Sequence, residues 1–418
     1  MKPYFMAIAV LCLISVVHVN SQEAGASAEY QEWVNAFEPA TADSLSMKQL
    51  LEVSKKASQD QTTLAHIENW MNGFEDTLTD DNPSTPFQHL ALTKARILIR
   101  LENNQEARTI FDQAARAQWQ VNPFLAWNAA LQETGQYALL AIEECKRCLP
   151  GNYPAEVRQR YGLTSSMSVL LVRLIECKNQ QYAVGKSVYF PLVIEYQDKG
   201  YSETLNIVKA LCDYLDGRVQ QAIQTMQDLM QEYQGPKEGV DEERWRFLPL
   251  LASIVYFGTG ETESAEQWMA IYIDRNQENP DVMLRRMLEI MYAMEHNSSY
   301  IGTVRTVCSA MIREIEMSAT PKDEGFLNPL ASLFDTYANS LFKTGERDRA
   351  YIIWQDVYDN YRQYNHVAGY NALLNSARIN MLFRNKNNLA LSQLNKIVSE
   401  CDNQWIIDQA KILKKNFE

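Results

Sequence analysis

Residues 334–357, FDTYANSLFKTGERDRAYIIWQDV, contain the spacing that decides the fold. Apolar and small residues recur at intervals of three and four on both sides of Gly345, which is the pattern of two amphipathic helices. Gly345 predicts the turn between them, because glycine readily adopts the left-handed backbone conformation that ends many helices. Ala338 and Ala350 are small enough to let the two helices approach closely. This segment therefore predicts a helix hairpin.

The hairpin segment resembles the tetratricopeptide repeat. The family's small, glycine, alanine and apolar motif positions are occupied by Ala338, Gly345, Ala350, Trp354 and Val357, with Phe334, Tyr337 and Leu341 in the first helix. The resemblance implies an all-α fold, a right-handed α-solenoid of stacked antiparallel helix hairpins. Each hairpin of such an array has an apolar face that it buries only against its neighbours.

Related turns recur along the chain, with the best copies at Gly217 to Ala222 and at Gly260 to Ala265, where Trp268 follows. The positions at which paired helices are expected to cross are Ala107, Ala141, Ala183, Ala222, Ala265, Val304, Ala350 and Ala390. Only the first interval has the family's usual length of 34 residues, and the others run from 39 to 46. The sequence therefore predicts about eight hairpins with long helices or inserted loops.

The repeat array is predicted to span residues 86–400, with other segments at both ends. Residues 22–85 form either an N-terminal helical cap or a degenerate hairpin, with a helix starting after Asp43 and another in TLAHIENWMNGFEDTL, 63–78. Residues 401–418 are predicted to form a C-terminal capping helix. The lysines that end QWIIDQAKILKK, 404–415, suit the negative end of a helix dipole.

The first residues have the pattern of a secretory signal peptide. Lys2 precedes the apolar run Phe5 to Val17, and Val19-Asn20-Ser21 predicts cleavage before Gln22, which makes 1–21 the signal peptide. The run has 13 residues, whereas a membrane span needs about 20, so cleavage is favoured over a membrane anchor. Lipidation at Cys12 is rejected because bulky residues precede it. The protein is therefore expected in the periplasm or cell envelope, with no transmembrane span in the mature chain.

Composition indicates a folded, acidic protein. Hydrophobic residues make up 46% of the 418 residues, and the formal net charge is -13. Because such a charge repels phosphate backbones, nucleic acid is not expected as a partner. The six cysteines after the predicted signal are too few for a disulfide scaffold in a chain of this length. Cys145 and Cys148, three residues apart, suit core packing or a bridge equally, and the oligomeric state is not indicated.

Motifs for catalysis, metal binding or a cofactor are missing. The histidines after the predicted signal, His66, His89, His296 and His366, have no metal-binding spacing. Ser340-Leu341-Phe342-Lys343 has the SxxK spelling of penicillin-recognising enzymes, but it lies late in a repeat helix without the partner motifs. We therefore expect no enzyme activity, no metal and no cofactor.

The resemblance also implies a concave groove lined by the first helix of each hairpin. The family's groove positions fall on His89, Leu92, Arg96 and Arg100; on Phe247, Leu250, Ile254 and Phe257; and on Ser332, Asp335, Asn339 and Phe342. The middle set would form an apolar patch for a partner, although a slip of one position would place it in the core. Arg96 and Arg100 would face an acidic segment or solvent. Asp335 occupies the position at which family members that bind a C-terminal carboxylate have a lysine.

Two functions follow from this pattern. The first is a non-catalytic scaffold of the periplasm or cell envelope that binds a peptide or an envelope protein in the groove. The alternative is a module that binds a small molecule or glycan. An enzyme with dispersed carboxylates has no support beyond the abundance of Asp and Glu.

Overall fold

The protein is all-helical. The computed structural model describes residues 28–149, 153–163, 167–196, 199, 201–232, 242–317 and 323–415, and these contain no β-strand. Its helices are α1 (28–36), α2 (Ser44–Lys56), α3 (Asp60–Met71), α4 (Thr85–Arg100), α5 (Asn104–Arg116), α6 (Pro123–Glu133), α7 (Tyr137–Cys148), α8 (Ala155–Tyr161), α9 (Met167–Asn179), α10 (Phe190–Tyr196), α11 (Ser202–Leu215), α12 (Val219–Glu232), α13 (Glu242–Thr259), α14 (Thr262–Arg275), α15 (Pro280–Glu295), α16 (Ile301–Met317), α17 (Glu324–Lys343), α18 (Arg347–Asp356), α19 (His366–Leu382), α20 (Asn387–Glu400) and α21 (Gln404–Lys415). The predicted all-α class is confirmed.

Consecutive helices pack in adjacent pairs. Among the closest pairs are α4 with α5, α11 with α12, α13 with α14, α17 with α18, and α19 with α20. The predicted turns at Gly217, Gly260 and Gly345 join three of them, with φ values of 80°, 84° and 93°. These angles lie in the left-handed region that costs glycine least. The three strongest turn predictions are therefore confirmed.

Seven of the eight predicted crossing positions are fully buried: Ala107, Ala141, Ala222, Ala265, Val304, Ala350 and Ala390. The prediction for Ala183 is wrong, because this residue is exposed. The close approach there is made by Gly185, where an added Cβ would lie 2.6 Å from a guanidinium nitrogen of Arg218. The Gly185 amide also donates to Asp216 at 2.9 Å. The close packing in this segment is therefore at Gly185, two positions after the predicted Ala183, where the side-chain ends of Arg218 and Asp216 lie against the glycine.

One contact joins helices that are far apart in sequence. Helix α9 packs on α15. At one end of this contact, the Asn179 amide donates to the Ala293 carbonyl at 3.2 Å, and the Asn297 amide donates to Asn179 at 3.0 Å. In a regular solenoid each repeat contacts only its neighbours. This packing of distant helices therefore departs from the neighbour-only arrangement.

The chain divides into two compact units, and the division falls within α7. The first unit comprises residues up to 140 and 151–164, and the second comprises 141–150 and 165–418. A large core cluster of the first unit surrounds the fully buried Trp119, with Phe87, Phe111 and Trp127 packed around it. In the second unit, one cluster joins α19, α20 and α21 through Leu374, Leu394 and Ile406.

The predicted helices at the two ends are confirmed, with one correction. Asp43 caps α2 by accepting from the Ser46 amide at 2.8 Å, and α21 has the predicted bounds. Helix α3 covers only part of the expected segment, because it begins at Asp60 and ends at Met71. Gly73 and Phe74 continue the chain in turns. The second half of the 63–78 segment is therefore not helical.

Within the described ranges, no helix has the length and apolar content needed to cross a membrane. The predicted signal peptide, 1–21, lies outside the described residues. The six cysteines Cys145, Cys148, Cys177, Cys212, Cys308 and Cys401 are described, and all are buried and unbridged. Here the cysteines pack as small apolar residues.

Candidate functional site

The middle set of predicted groove residues lies in the core of the second unit. Phe247, Leu250, Ile254 and Phe257 expose only 5%, 0%, 1% and 7% of their surfaces. The expectation of an open apolar patch at these residues is therefore wrong.

Their burial follows from the neighbours of α13. This helix contacts α12, α14, α16 and α9, so helices outside its own hairpin also cover it. The face that would be open in a regular groove is thereby closed. The Phe247 ring packs edge-on against Tyr272, with the ring centres 5.7 Å apart.

The predicted arginines of α4 form ion pairs within the first unit. Arg96 pairs with Glu133 of α6, and Arg100 lies 3.5 Å from Glu133 and 3.2 Å from Asp60. Their charges are therefore already compensated, and neither faces only solvent. Leu92 is buried beside them, and burial lowers the pKa of the half-buried His89.

The third predicted set lies in a row of polar contacts between helices, which we call the polar seam. It comprises Tyr292 and Glu295 of α15, Ser332, Asp335 and Asn339 of α17, and Asn371, Asn375 and Arg378 of α19. Helix α17 packs against both α15 and α19. Polar residues on three helices thereby face one another.

Asp335 is the centre of the seam. One carboxylate oxygen accepts from the Trp354 indole at 2.8 Å, and the other accepts from the Asn371 amide at 2.8 Å. Burial raises the pKa of Asp335 to about 7; the two hydrogen bonds oppose this shift, and the nearby Glu295 adds to it. Both donors are neutral. None of the ion pairs between described residues gives Asp335 a cationic partner.

Two groups flank Asp335 on α15. The Glu295 carboxylate is paired with Lys343 at 2.8 Å, so that acid is compensated. The Tyr292 hydroxyl interacts with Ser332 and Thr336, while 43% of the Tyr292 surface stays exposed. An aromatic side chain thus borders the seam on the solvent side.

At the other end of the seam, amides and a guanidinium meet. The Asn375 amide contacts the Asn339 oxygen at 3.5 Å, and Arg378 donates to Asn375 at 3.0 Å. Phe342 packs between the Trp354 and Phe383 rings, with centres 5.8 and 6.1 Å away. The structure therefore brings the predicted Asp335, Asn339 and Phe342 together around α17.

A separate cleft of about 730 Å³ lies among α12, α13 and α14. It is lined by Gln227, Met230, Gln231, Tyr256, Trp268, Ile271 and Arg275. Trp268, Ile271 and Arg275 fall on one face of α14 because they are spaced by three and four residues. Trp268, which follows the predicted turn at Gly260, is partly exposed to this cleft.

Several of these residues carry no local sequence signal. Asn371, Asn375 and Arg378 lie on α19, where the repeat motif is weak. Asn371 and Asn375 contact partners on α17 that are 36 residues away in sequence, and Arg378 donates to Asn375. Ser340 of the SxxK spelling is buried and donates to the Tyr337 carbonyl at 2.6 Å. In the described ranges, no group of three or more His, Cys, Asp or Glu side chains is arranged to hold a metal ion.

Comparison with known proteins gives no relative: no family model matches the chain, and no curated protein or solved structure is significantly similar to it.

Proposed function

We propose that this protein is a non-catalytic scaffold of the periplasm or cell envelope, built from tetratricopeptide-like hairpins, that binds an extended segment of a partner protein. The binding surface is the polar seam, and a basic side chain of the partner pairs with Asp335. The single observation that carries this proposal is the carboxylate of Asp335, which has two neutral donors and no cationic partner among the described ion pairs.

The glycine turns and buried alanines support the repeat scaffold. Left-handed glycines join the helices at three predicted turns, and the alanines that follow them are fully buried. The packing of α9 on α15 adds a contact between helices that are far apart in sequence within the second unit.

Electrostatics supports a basic partner. The chain has a formal net charge of -13, which attracts cationic segments over long range. A desolvated carboxylate gains more from pairing with a cation than an exposed one, because water screens it less. Tyr292 lies at the border of the seam and could contact the aliphatic stem of a lysine or arginine.

The test is capture with a photo-crosslinking residue in place of Tyr292. Two proteins carry this residue at position 292, one with the native Asp335 and one with Asp335→Asn. Each is irradiated with envelope extract, and crosslinked segments are identified by mass spectrometry. We expect one dominant partner segment that contains lysine or arginine, and loss of most of this product in Asp335→Asn. Asp359→Asn is the control, because Asp359 is an exposed carboxylate of the turn that extends α18.

Circular dichroism shows whether each variant keeps its helices. Equal crosslinking by wild type and a folded Asp335→Asn would overturn the role of the seam. A dominant segment without basic residues would also contradict it.

The alternative function, binding of a small molecule or glycan, has its own support in the cleft of α12, α13 and α14. Its volume of about 730 Å³ falls in the range of roughly 300–1,000 Å³ typical of ligand sites. The cleft shares no residue with the polar seam, so the two functions are separable by mutation.

A further inference from the structure

The charge of Arg275 is the unusual feature of the cleft. Its guanidinium lies over the Trp245 ring, 4.4 Å from the ring centre, and donates to the Trp245 carbonyl at 2.7 Å. Among the described residues, Arg275 makes no other hydrogen bond, although an arginine has five N–H donors. Among the ion pairs between described residues, none involves Arg275, although the chain as a whole is acidic. A half-buried cation therefore lines the cleft without an ion-pair partner among the described residues, and the adjacent Asp274 acts on it electrostatically.

The other walls are apolar or neutral. Trp268 and Ile271 of α14 and Met230 of α12 supply apolar surface, and Gln227 and Gln231 supply amide groups. Tyr256 of α13 lies between them, and its hydroxyl interacts with Gln227. None of the lining side chains is acidic. This combination suits a ligand with a ring that packs on an indole and polar groups that meet the amides.

We infer that this cleft binds a small organic acid whose ring packs against Trp268 and Ile271 and whose carboxylate pairs with Arg275. The guanidinium is held in place by Trp245, so its planar fork is preorganised for a carboxylate. The glutamine amides bind hydroxyl or carbonyl groups on the ring. Aromatic acids and ring-form sugar acids share this chemistry. This inference rests on the alternative, small-ligand function and does not depend on the polar seam.

The test is isothermal titration calorimetry of the whole protein with phenylacetate, with glucuronate, and with the neutral phenylacetamide and glucose as matched controls. We expect saturable binding of one acid, and binding about 10- to 100-fold weaker for its neutral counterpart, which is the range of a charge-assisted hydrogen bond. Preference for phenylacetate assigns an aromatic acid, and preference for glucuronate assigns a sugar acid.

Three variants locate the site. Arg275→Gln is expected to lose about 10- to 100-fold in affinity, and Arg275→Lys to keep part of it because the charge remains. Trp268→Leu removes the ring surface and weakens binding of the acid and its neutral counterpart alike. Arg285→Gln is the control, because Arg285 lies on α15 and is paired with Asp281.

Several results would overturn the inference. One is absence of saturable binding for both acids. Another is equal affinity for an acid and its neutral counterpart, and a third is unchanged binding in folded Arg275→Gln and Trp268→Leu. Asp335→Asn is expected to bind the acid normally, so failure of the seam proposal and failure of the cleft proposal give different results.

Discussion

Asp335→Asn should change how the stability of this protein depends on pH. The native carboxyl has a pKa of about 7, above its ordinary value of 3.8, chiefly because burial disfavours the charged form. The native state therefore binds this proton more tightly than the unfolded chain does. Its contribution to stability is fully present below the unfolded pKa and is lost as pH rises through the folded pKa.

The magnitude follows from the two pKa values. Each unit of difference corresponds to roughly 1.4 kcal/mol, so ionising Asp335 costs on the order of 4 kcal/mol at high pH. Between about pH 5 and pH 8, wild type should lose roughly 3 kcal/mol of unfolding free energy through this one group. Asparagine cannot ionise, so the variant lacks this loss.

A second effect of the substitution does not depend on pH. The asparagine side chain offers one acceptor oxygen, whereas Trp354 and Asn371 both donate to the native carboxylate. One donor is then left facing an NH₂ group, at a cost of about 1–3 kcal/mol. We therefore expect the variant to be less stable than wild type near the acid end of the range and to recover the difference, or exceed it, near the alkaline end.

The assay is urea unfolding followed by circular dichroism across this pH range, with the difference between wild type and variant plotted against pH. Asp359→Asn controls for the loss of one exposed carboxylate. The neighbouring Glu295 and Lys343 are unchanged in the variant. Parallel curves for wild type and Asp335→Asn would refute the reasoning, because the carboxyl would then have an ordinary pKa.

Three further predictions test the core, the turns and the thiols. Leu250→Ala should lower the unfolding free energy by about 2–5 kcal/mol in urea titrations, because it leaves a cavity at a buried position. The control Leu125→Ala, at an exposed position, should change the unfolding free energy by less than about 0.5 kcal/mol. An equally small effect of Leu250→Ala would show that Leu250 lies on an open face and not in the core. Gly345→Ala should lower the stability of the fold by about 1 kcal/mol, because residue 345 has a positive φ. Gly302→Ala, within α16 and with open space for a Cβ, should raise the stability by up to about 1 kcal/mol. Thermal unfolding measures both changes, and a shift of the two melting temperatures in the same direction would contradict this prediction. Burial raises the pKa of Cys177 to about 12, so the thiol should resist alkylation near neutral pH in the folded protein and react after denaturation. Alkylation is measured by mass spectrometry. Rapid labelling of Cys177 in the folded protein would contradict this prediction, because it would show that the thiol is accessible.

Local sequence features were sufficient to predict much of the helical architecture. Gly217, Gly260 and Gly345 marked turns because few other residues adopt the required backbone angles at low cost. The alanines after them marked buried positions because only a small side chain fits where two helices cross. Asp43 marked the start of α2 because its carboxylate accepts from a free amide of the first turn. Each of these requirements acts within a few residues along the chain.

The site depended on contacts that the periodicity of one helix does not encode. Leu250 and Ile254 were placed on an open face, but α9 and α16 cover α13 and make them core. Trp268 was identified only as the residue that follows a predicted turn, and the packing of α12, α13 and α14 places it in a cleft.

The sequence by itself determined the helical class, several turns and the acidic charge, because these depend on local backbone preferences and composition. Tertiary structure alone decided that Asp335 is desolvated beside Trp354 and Asn371 and that Arg275 faces a cleft without a carboxylate. The physical reason is that burial and electrostatics depend on which distant helices pack together, and Asn371 reaches Asp335 from 36 residues away.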